Sequence, residues 1–518
     1  MILTNRKTKF YLLSFLKHDF KASITVFFVA LPLCLGISLA SGTPVYSGLI
    51  SGIIGGIVIS LISRSQLSVS GPAAGLTAVS AAAIIQLGSM EIFFLSVAIA
   101  GLLQILLGIL RLGGFTYFIP SSVIKGMLAA IGIILMSKQI PLIIGYDQPD
   151  FWTNELFNIF TFRHGFEHID HLYHSTSAGA IIIAFFSLGV LITWKSYAKK
   201  LSYFPASFIT VLSGMLLAIA FRNFLPSLQL NDSQFVRISD DILSQVKFPD
   251  FHSIFSNVQI WKNAVVICFV ATLETLLSVE AIDKIDPYNR ITPQNRELIA
   301  QGTGNFISGL IGGLPITAVI VRSSANAEAG GKTRLSSFAH GIWLLLAILF
   351  ALQLINRIPY CVLAVILIRT GYNLAKPKMI RSVYNQGREQ FLPFIVTVIS
   401  ILFTNLLTGV LIGIAYAIYF IVKHTYRAGF VIKEKDEGHT KRIILDLALN
   451  VSFLNKKKLK MFLDLIPQYS TLEIIGTDSV YIDYDILEII HDFKAKAKIK
   501  HIELFLRDIP DVETIELH

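Results

Sequence analysis

The sequence predicts two modules of different solvent class: an all-α polytopic membrane domain over residues 1–428, with about 14 spans, and a small α/β domain over residues 429–518. Three observations predict this. The chain of 518 residues is 53% apolar and only 15% charged, whereas soluble proteins average about 25% charged residues. The charges are also segregated. The last 90 residues carry 13 basic and 16 acidic side chains, and the preceding 428 carry 31 and 18. The net charge of +10 therefore divides into about +13 on an apolar body and −3 on a polar tail. Finally, the body is built of apolar runs of the length that crosses a bilayer as helix, about 17–25 residues.

In chain order the clear runs are 22–40, 45–63, 91–111, 118–140, 176–194, 203–221, 262–282, 297–313, 337–354, 358–373, 391–406 and 408–425. Two more, 66–88 and 314–329, are short and broken by Gly and Pro. The first run lacks the small-residue cleavage pattern of a secretory signal and reads as a mature helix. Cys34, Cys268 and Cys361 fall far apart inside apolar runs, so neither a disulfide framework nor a zinc site is expected. Gly48, Gly52, Gly55 and Gly56 are spaced for close helix packing.

Loop charge sets the orientation. Arg6, Lys7, Lys9, Lys17 and Lys21 precede the first run against a single acid, Asp19, and Lys376, Lys378, Arg381 and Arg388 follow run 358–373. The long loop after run 118–140 carries Asp147, Asp150, Glu155, Glu167 and Asp170 against Arg163. The positive-inside rule then places both termini in the cytoplasm, as an even number of spans requires. Basic residues at the ends of apolar runs are orientation signals. Nucleic acid would need a basic face on a soluble module, so it is not expected as a partner.

The two broken runs read Ser70-Gly71-Pro72-Ala73-Ala74-Gly75-Leu76-Thr77 and Gly312-Gly313-Leu314-Pro315-Ile316-Thr317-Ala318. Pro72 and Pro315 lie 243 residues apart, each in the third element of a seven-span half. Paired Gly/Pro-interrupted segments at matching positions point to the binding site of a secondary transporter. Proline suits the first turn of a helix. Two half-helices starting there would aim their positive dipole ends at one point, which binds an anion.

At these residues the chain resembles the sulfate permease (SulP) family, whose animal members form solute carrier family 26. The resemblance runs over 19–511 and rests on separate stretches. They are Val29-Ala30-Leu31-Pro32, Ser70-Gly71-Pro72-Ala73-Ala74-Gly75, Glu274-Thr275-Leu276-Leu277-Ser278, Gly312-Gly313-Leu314-Pro315 through Arg322, Gly330-Gly331-Lys332-Thr333, and the tail. It implies a 7+7 inverted repeat with core and scaffold subdomains, a cytoplasmic STAS domain and a homodimer. Strands at 442–447, 471–475 and 501–506, with helices at 455–466 and 484–496, independently suggest a small parallel sheet covered by helices. Where regulatory STAS proteins carry an Asp-Ser-Ser-Gly turn, this tail reads Asp483-Tyr484-Asp485-Ile486, which argues against phospho-switching.

Glu274 is an ionisable side chain in the middle of the apolar run 265–277, a functional candidate by default. Low dielectric disfavours the charged form of a carboxyl group, so Glu274 could take up a proton and carry it with an anion. The resemblance implies a proton or cation site here. Ser278, four residues on and on the same helical face, resembles a position used for sodium in bicarbonate-carrying relatives. Permanent pairing of Glu274 with a basic residue is the structural alternative. Arg322 follows Pro315 by two helical turns and could fold back towards the dipole site. The resemblance places a substrate-facing basic residue there. The expected substrate-binding set is Pro32, Leu33, Ala73, Ala74, Gly75, Thr317, Ala318, Val319 and Arg322, with Glu274 and Ser278 for a coupling ion, H+ or Na+.

Other motifs read more blandly. The 164–174 loop contains the letters of an H-x-x-E-H protease motif plus further histidines, but a loop of that size cannot supply a catalytic domain. Gly331-Lys332-Thr333 resembles the end of a P-loop, yet Asn326 stands where glycine is needed. Neither enzyme activity nor a cofactor is expected. The sequence thus points to a secondary active transporter of small inorganic anions, of the sulfate or bicarbonate class, in a bacterial inner (plasma) membrane. Leu33, where many sulfate carriers have Gln, weakens the sulfate case. An anion-binding membrane sensor or scaffold acting through its STAS domain is one alternative. A dicarboxylate or nucleobase permease on the same fold is another.

Overall fold

A computed structural model describes residues 16–114, 119–145, 176–197, 205–239, 246–255, 257–404, 406–427, 429–437 and 440–511. The 164–174 histidine-rich loop, most of the N-terminal basic cluster and the acids of 147–170 lie outside the described residues. The chain divides into two compact units, Met1–Ile412 and Gly413–His518.

The first unit is helical. Its first half comprises α1 (Leu16–Ala40), α2 (Val45–Ile54, continued through a π turn at Gly55–Ile59 to Ile62), the short strand β1 (Ser70–Pro72), α3 (Thr77–Leu87), α4 (Met90–Ile109), α5 (Ser121–Ile144), α6 (Ala178–Tyr197) and α7 (Ala206–Phe224). The second comprises α8 (Val258–Asp283), α9 (Gln294–Leu310), β2 (Ile316–Ala318), α10 (Ile320–Glu328), α11 (Leu335–Phe350), α12 (Tyr360–Leu374), α13 (Pro377–Asn385), α14 (Arg388–Phe403) and α15 (Leu406–Arg427), which crosses the division between units. Among the described residues, seven helices are long and apolar enough to cross a membrane: α1, α2 with its extension, α4, α5, α7, α8 and α15.

Glycine brings the two halves into contact. On α4 and α9, a Cβ on Gly101 would lie 2.6 Å from Gly302 O, and one on Gly309 would lie 2.6 Å from Phe94 O. Only side-chain-free backbone allows that approach, as small-residue packing in membranes requires. The glycines of α2 work the same way. Gly48 faces Cys34 O, and a Cβ on Gly56 would sit 2.5 Å from Gly341 Cα on α11. Helix α9 is the polar exception among these elements, with Glu297, Gln301, Asn305 and Ser308 all buried along it.

The second unit contains β3 (Phe430–Glu437), β4 (Thr440–Leu447), β5 (Asn450–Val451), α16 (Lys456–Asp464), β6 (Thr471–Ile475), β7 (Tyr481–Ile482), α17 (Tyr484–Ile499) and β8 (Glu503–Arg507). Alternating Ile443, Leu445 and Leu447 meet Leu472 and Ile474 beneath Ile486, Ile490 and Phe493 of α17 in one apolar core. The sheet is mixed and not wholly parallel as expected. In the order β3-β4-β6-β8 the last three strands are parallel, but β3 joins antiparallel as an edge strand. Its charged second half, Lys433-Glu434-Lys435-Asp436-Glu437, hides the strand from an apolar count. Buried Glu473 spans the sheet by pairing with Arg442 at 2.9 Å and Arg507 at 2.6 Å. Asp483 caps α17, its carboxylate accepting the Asp485 N–H at 3.1 Å. The turn without the serine motif is therefore an ordinary helix start.

Candidate anion site

The two broken runs meet. β1 and β2 pair antiparallel, with Ser70 opposite Ala318, Gly71 opposite Thr317 and Pro72 opposite Ile316. Val319 N–H donates to Val69 O at 3.0 Å and extends the ladder. An isolated pair of three-residue strands has little stability of its own, so side chains must hold it. Asn305 does so from α9: its carbonyl accepts the Ile316 N–H at 2.5 Å and its amide donates to Ile316 O at 3.0 Å. Gln104 of α4 accepts from Asn305 at 2.6 Å and donates to Thr272 of α8 at 3.2 Å. Thr275 accepts the Ala318 N–H at 3.4 Å. On the β1 side, Gln301 donates to Ser70 Oγ at 2.6 Å and to Glu297 at 2.9 Å. Ser323 Oγ accepts the Val69 N–H at 2.9 Å. Ser51 and Ser308 both donate to Leu314 O, at 2.9 and 2.7 Å.

This pairing corrects the expected place of the prolines. Pro72 lies in β1 and Pro315 immediately precedes β2, so neither occupies a first helical turn. The chain runs extended past each proline before helix resumes at Ala74, in a single 3-10 turn, and at Ile320. Arg322 consequently stands in the first turn of α10 and is not two turns along a helix from Pro315.

Arg322 is fully buried at 0% exposure. Its Nη2 donates to Pro72 O at 3.4 Å, its guanidinium lies against the Cys34 thiol of α1, and among the described residues Nε and Nη1 have no hydrogen-bond partner. Gly71 makes room for it: a Cβ there would overlap Nη1 and sit 3.0 Å from Cζ. Among the described residues no acid pairs with Arg322, so the expected alternative of an ion pair with Glu274 does not occur. The start of α10 already carries about half a positive charge. An uncompensated buried cation costs several kcal/mol. A guanidinium placed in that turn, with two donor groups free, is arranged to receive an anion.

Glu274 takes a different position. Its carboxylate lies against the backbone of Gly75, just ahead of α3, and among the described residues Oε2 has no hydrogen-bond partner. A Cβ on Gly75 would come within 2.6 Å of that oxygen. The two dipole ends are therefore unequal. The start of α3 faces a carboxylate, and the start of α10 is reinforced by a cation. Ser278 is buried one turn beyond Glu274.

The remaining expected residues surround this crossing. Ala73, Ala74, Thr317, Ala318 and Val319 belong to the extended segments and the turns that follow them, and the first four are buried. Pro32 and Leu33 are buried in the middle of α1, which packs against β1 and α10. Its next residue, Cys34, is the one that touches the guanidinium, a contact the sequence reading missed. It also missed the α9 clamp, although Glu297, Gln301, Asn305 and Ser308 recur every three or four residues in an apolar run and so mark one polar face. The P-loop look-alike is explained by Asp19. Its buried carboxylate accepts the Lys332 N–H at 2.7 Å, the Thr333 N–H at 3.0 Å and the Thr333 hydroxyl. Glu280 pairs with Lys284 at 2.7 Å, and Asp283 accepts from Thr292 N–H and Oγ1 at 2.7 and 2.8 Å. Among the described residues no cluster of His, Cys, Asp and Glu could hold a metal ion.

Long apolar helices, two interrupted segments crossing between two halves, and a buried cation with free donors at the crossing together define a multi-pass membrane carrier. The chain belongs to the sulfate permease family, whose model matches residues 16–397, and is accordingly an integral membrane transporter of inorganic anions and not an enzyme. It is similar to the bicarbonate transporter BicA of Picosynechococcus sp. (strain ATCC 27264 / PCC 7002 / PR-6), with 26% identity over 415 residues, 78% of this chain and 69% of BicA. It is also similar to the chloroplastic sulfate transporter 4.1 of Arabidopsis thaliana, with 25% identity over 444 residues, 82% of this chain and 61% of that protein. The fold matches the murine solute carrier 26 family member A9 anion transporter in its inward-facing state. The TM-score is 0.72 at 15% identity, covering 97% of this chain and 89% of that one.

Proposed function

We propose that the protein is a secondary active carrier that binds one small oxyanion, of the sulfate or bicarbonate class, between the starts of α3 and α10. One observation carries the reading: the wholly buried Arg322 guanidinium with Nε and Nη1 unpartnered beside the β1–β2 crossing. Ala73, Ala74, Gly75, Thr317, Ala318 and Val319 form the crossing, with Pro32 and Leu33 as the α1 wall. Relatives named for bicarbonate and for sulfate both support the substrate class. Leu33 leaves the α1 wall apolar, which favours the less strongly hydrated bicarbonate.

Glu274 is the coupling residue in this reading. A charged carboxylate at the start of α3 opposes an anion held at the start of α10. Protonation removes that charge, so proton and anion load together. Sodium held by Glu274 and Ser278 would neutralise the same charge with hard oxygen ligands. Fourteen spans follow if α1–α12, α14 and α15 each cross or enter the bilayer, as a 7+7 inverted repeat. α13 is then the helix outside the count. Loop charge supports cytoplasmic termini in a bacterial plasma membrane. An elevator-type or rocking motion of the core and a homodimer are what the resemblance supports.

The test is anion binding and melting measured on the same purified variants. Arg322→Gln should weaken apparent affinity about 10- to 150-fold through one lost charge-assisted hydrogen bond. Arg322→Lys should recover part of that if charge alone matters. Unchanged affinity in a variant that merely melts earlier would make Arg322 structural and remove the site.

A further inference from the structure

We propose that α13 is a binding surface for anionic phospholipid, reading the phosphodiester headgroup with Lys376, Lys378, Arg381 and Arg388. Over residues 369–388 the sequence carries five cations and no acid. All four named side chains are exposed, and among the described residues none enters an ion pair. Lys378, Arg381 and Tyr384 recur every third residue and so share the outward face.

The opposite face is occupied. Val383 is fully buried, and Met379 and Ile380 pack with it against Ala129 of α5 and Phe394 of α14. The helix is thus fixed by protein and presents its cations outward. Two residues join it to α12 and two to α14, so it lies where those helices leave the bilayer. Exposed Tyr372 and Tyr384, at 43% and 64%, flank the patch with the amphipathic rings that favour the interface. Basic clusters on an amphipathic helix at that depth attract anionic headgroups.

Charge complementarity selects the occupant. A zwitterionic lipid offers no net charge to four unpaired cations, whereas phosphatidylglycerol or cardiolipin does. The consequence follows from what α13 is attached to. Helices α5, α12 and α14 contribute no residue to the anion site, so bound lipid would hold the frame in place while the helices bearing Arg322 and Glu274 move.

Purified full-length protein is titrated with dioctanoyl-phosphatidylglycerol, dioctanoyl-phosphatidylcholine and inorganic phosphate, reading melting temperature and apparent Kd. Phosphatidylglycerol should raise the melting temperature in a salt-sensitive manner and phosphatidylcholine should not, while any stabilisation by phosphate should be the same in wild type and in the variants below. The Lys376→Gln/Lys378→Gln/Arg381→Gln/Arg388→Gln variant should lose at least tenfold in affinity for it, each cation contributing about fivefold near a surface. If that variant does not fold, Lys378→Gln/Arg381→Gln should still lose roughly tenfold or more. Equal stabilisation by the two lipids, or unchanged phosphatidylglycerol affinity in the variants, overturns the proposal. Phosphate stabilisation that is lost in the same variants would make this a free-oxyanion site and overturn it equally.

Discussion

Replacing Gly71 by alanine perturbs Arg322 without touching its charge. Gly71 has no left-handed backbone angle, so alanine is allowed there and strain in φ is not the issue. Space is the issue. The new methyl would overlap Nη1 and lie 3.0 Å from Cζ, so the guanidinium must retreat by roughly 1 Å to restore ordinary contact. The Pro72 O hydrogen bond is already 3.4 Å long and does not survive that shift. The bound anion loses the aligned donors, which costs about 1.5–3 kcal/mol, a 10- to 150-fold weaker apparent affinity. Stability should change by about 1 kcal/mol or less, because the far end of a long side chain yields more easily than backbone. Anion titration and melting of one purified sample give both numbers. Unchanged affinity together with a large drop in melting temperature would show that Gly71 serves packing alone.

Asn305→Leu should destabilise by about 2–5 kcal/mol, because both backbone groups of Ile316 lose their buried partners. Thermal melting reads this, and a drop of less than 1 kcal/mol would show that the β1–β2 crossing does not depend on α9. Glu274→Gln should bind anion at least as tightly as the wild type and retain exchange, but lose acceleration by an inward proton gradient. Proton-driven uptake persisting in that variant would take Glu274 out of the coupling role. For orientation, cysteine at Glu167 should react with an impermeant thiol reagent on intact cells and cysteine at Lys456 should not. The native Cys34, Cys268 and Cys361 are buried and give little background, and the reverse pattern would invert the topology.

The sequence made Glu274 and Arg322 visible for the same reason. Ionisable side chains within or beside apolar runs are too costly to be incidental. The paired Gly/Pro interruptions were equally legible as breaks in helix, but not as strands. β1 and β2 become strands only because each has the other as a partner across more than 240 residues of chain. No local pattern reports such a pairing, so sequence alone puts the prolines in helical turns and Arg322 too far along its helix. The Asp19 anchor on Lys332 and Thr333 escaped notice on the same ground, since its partners are 313 and 314 residues away. The Asn305 clamp was closer to view: its stripe on α9 shows in the sequence, though what it grips does not. In the tail, buried alternation revealed β4 and β6, while the charged edge strand β3 carried too few apolar residues to register.

Uptake into proteoliposomes decides whether the protein carries anions through Arg322. Full-length protein is reconstituted and offered labelled sulfate or labelled bicarbonate, each with an inward proton gradient, an inward sodium gradient or neither, beside Arg322→Gln in matched vesicles. The wild type should show gradient-accelerated uptake of at least one of the two anions, with a concentration dependence shifted about 10- to 150-fold upward in Arg322→Gln. Absence of uptake of either anion under every gradient, from protein that still melts cooperatively, would contradict it.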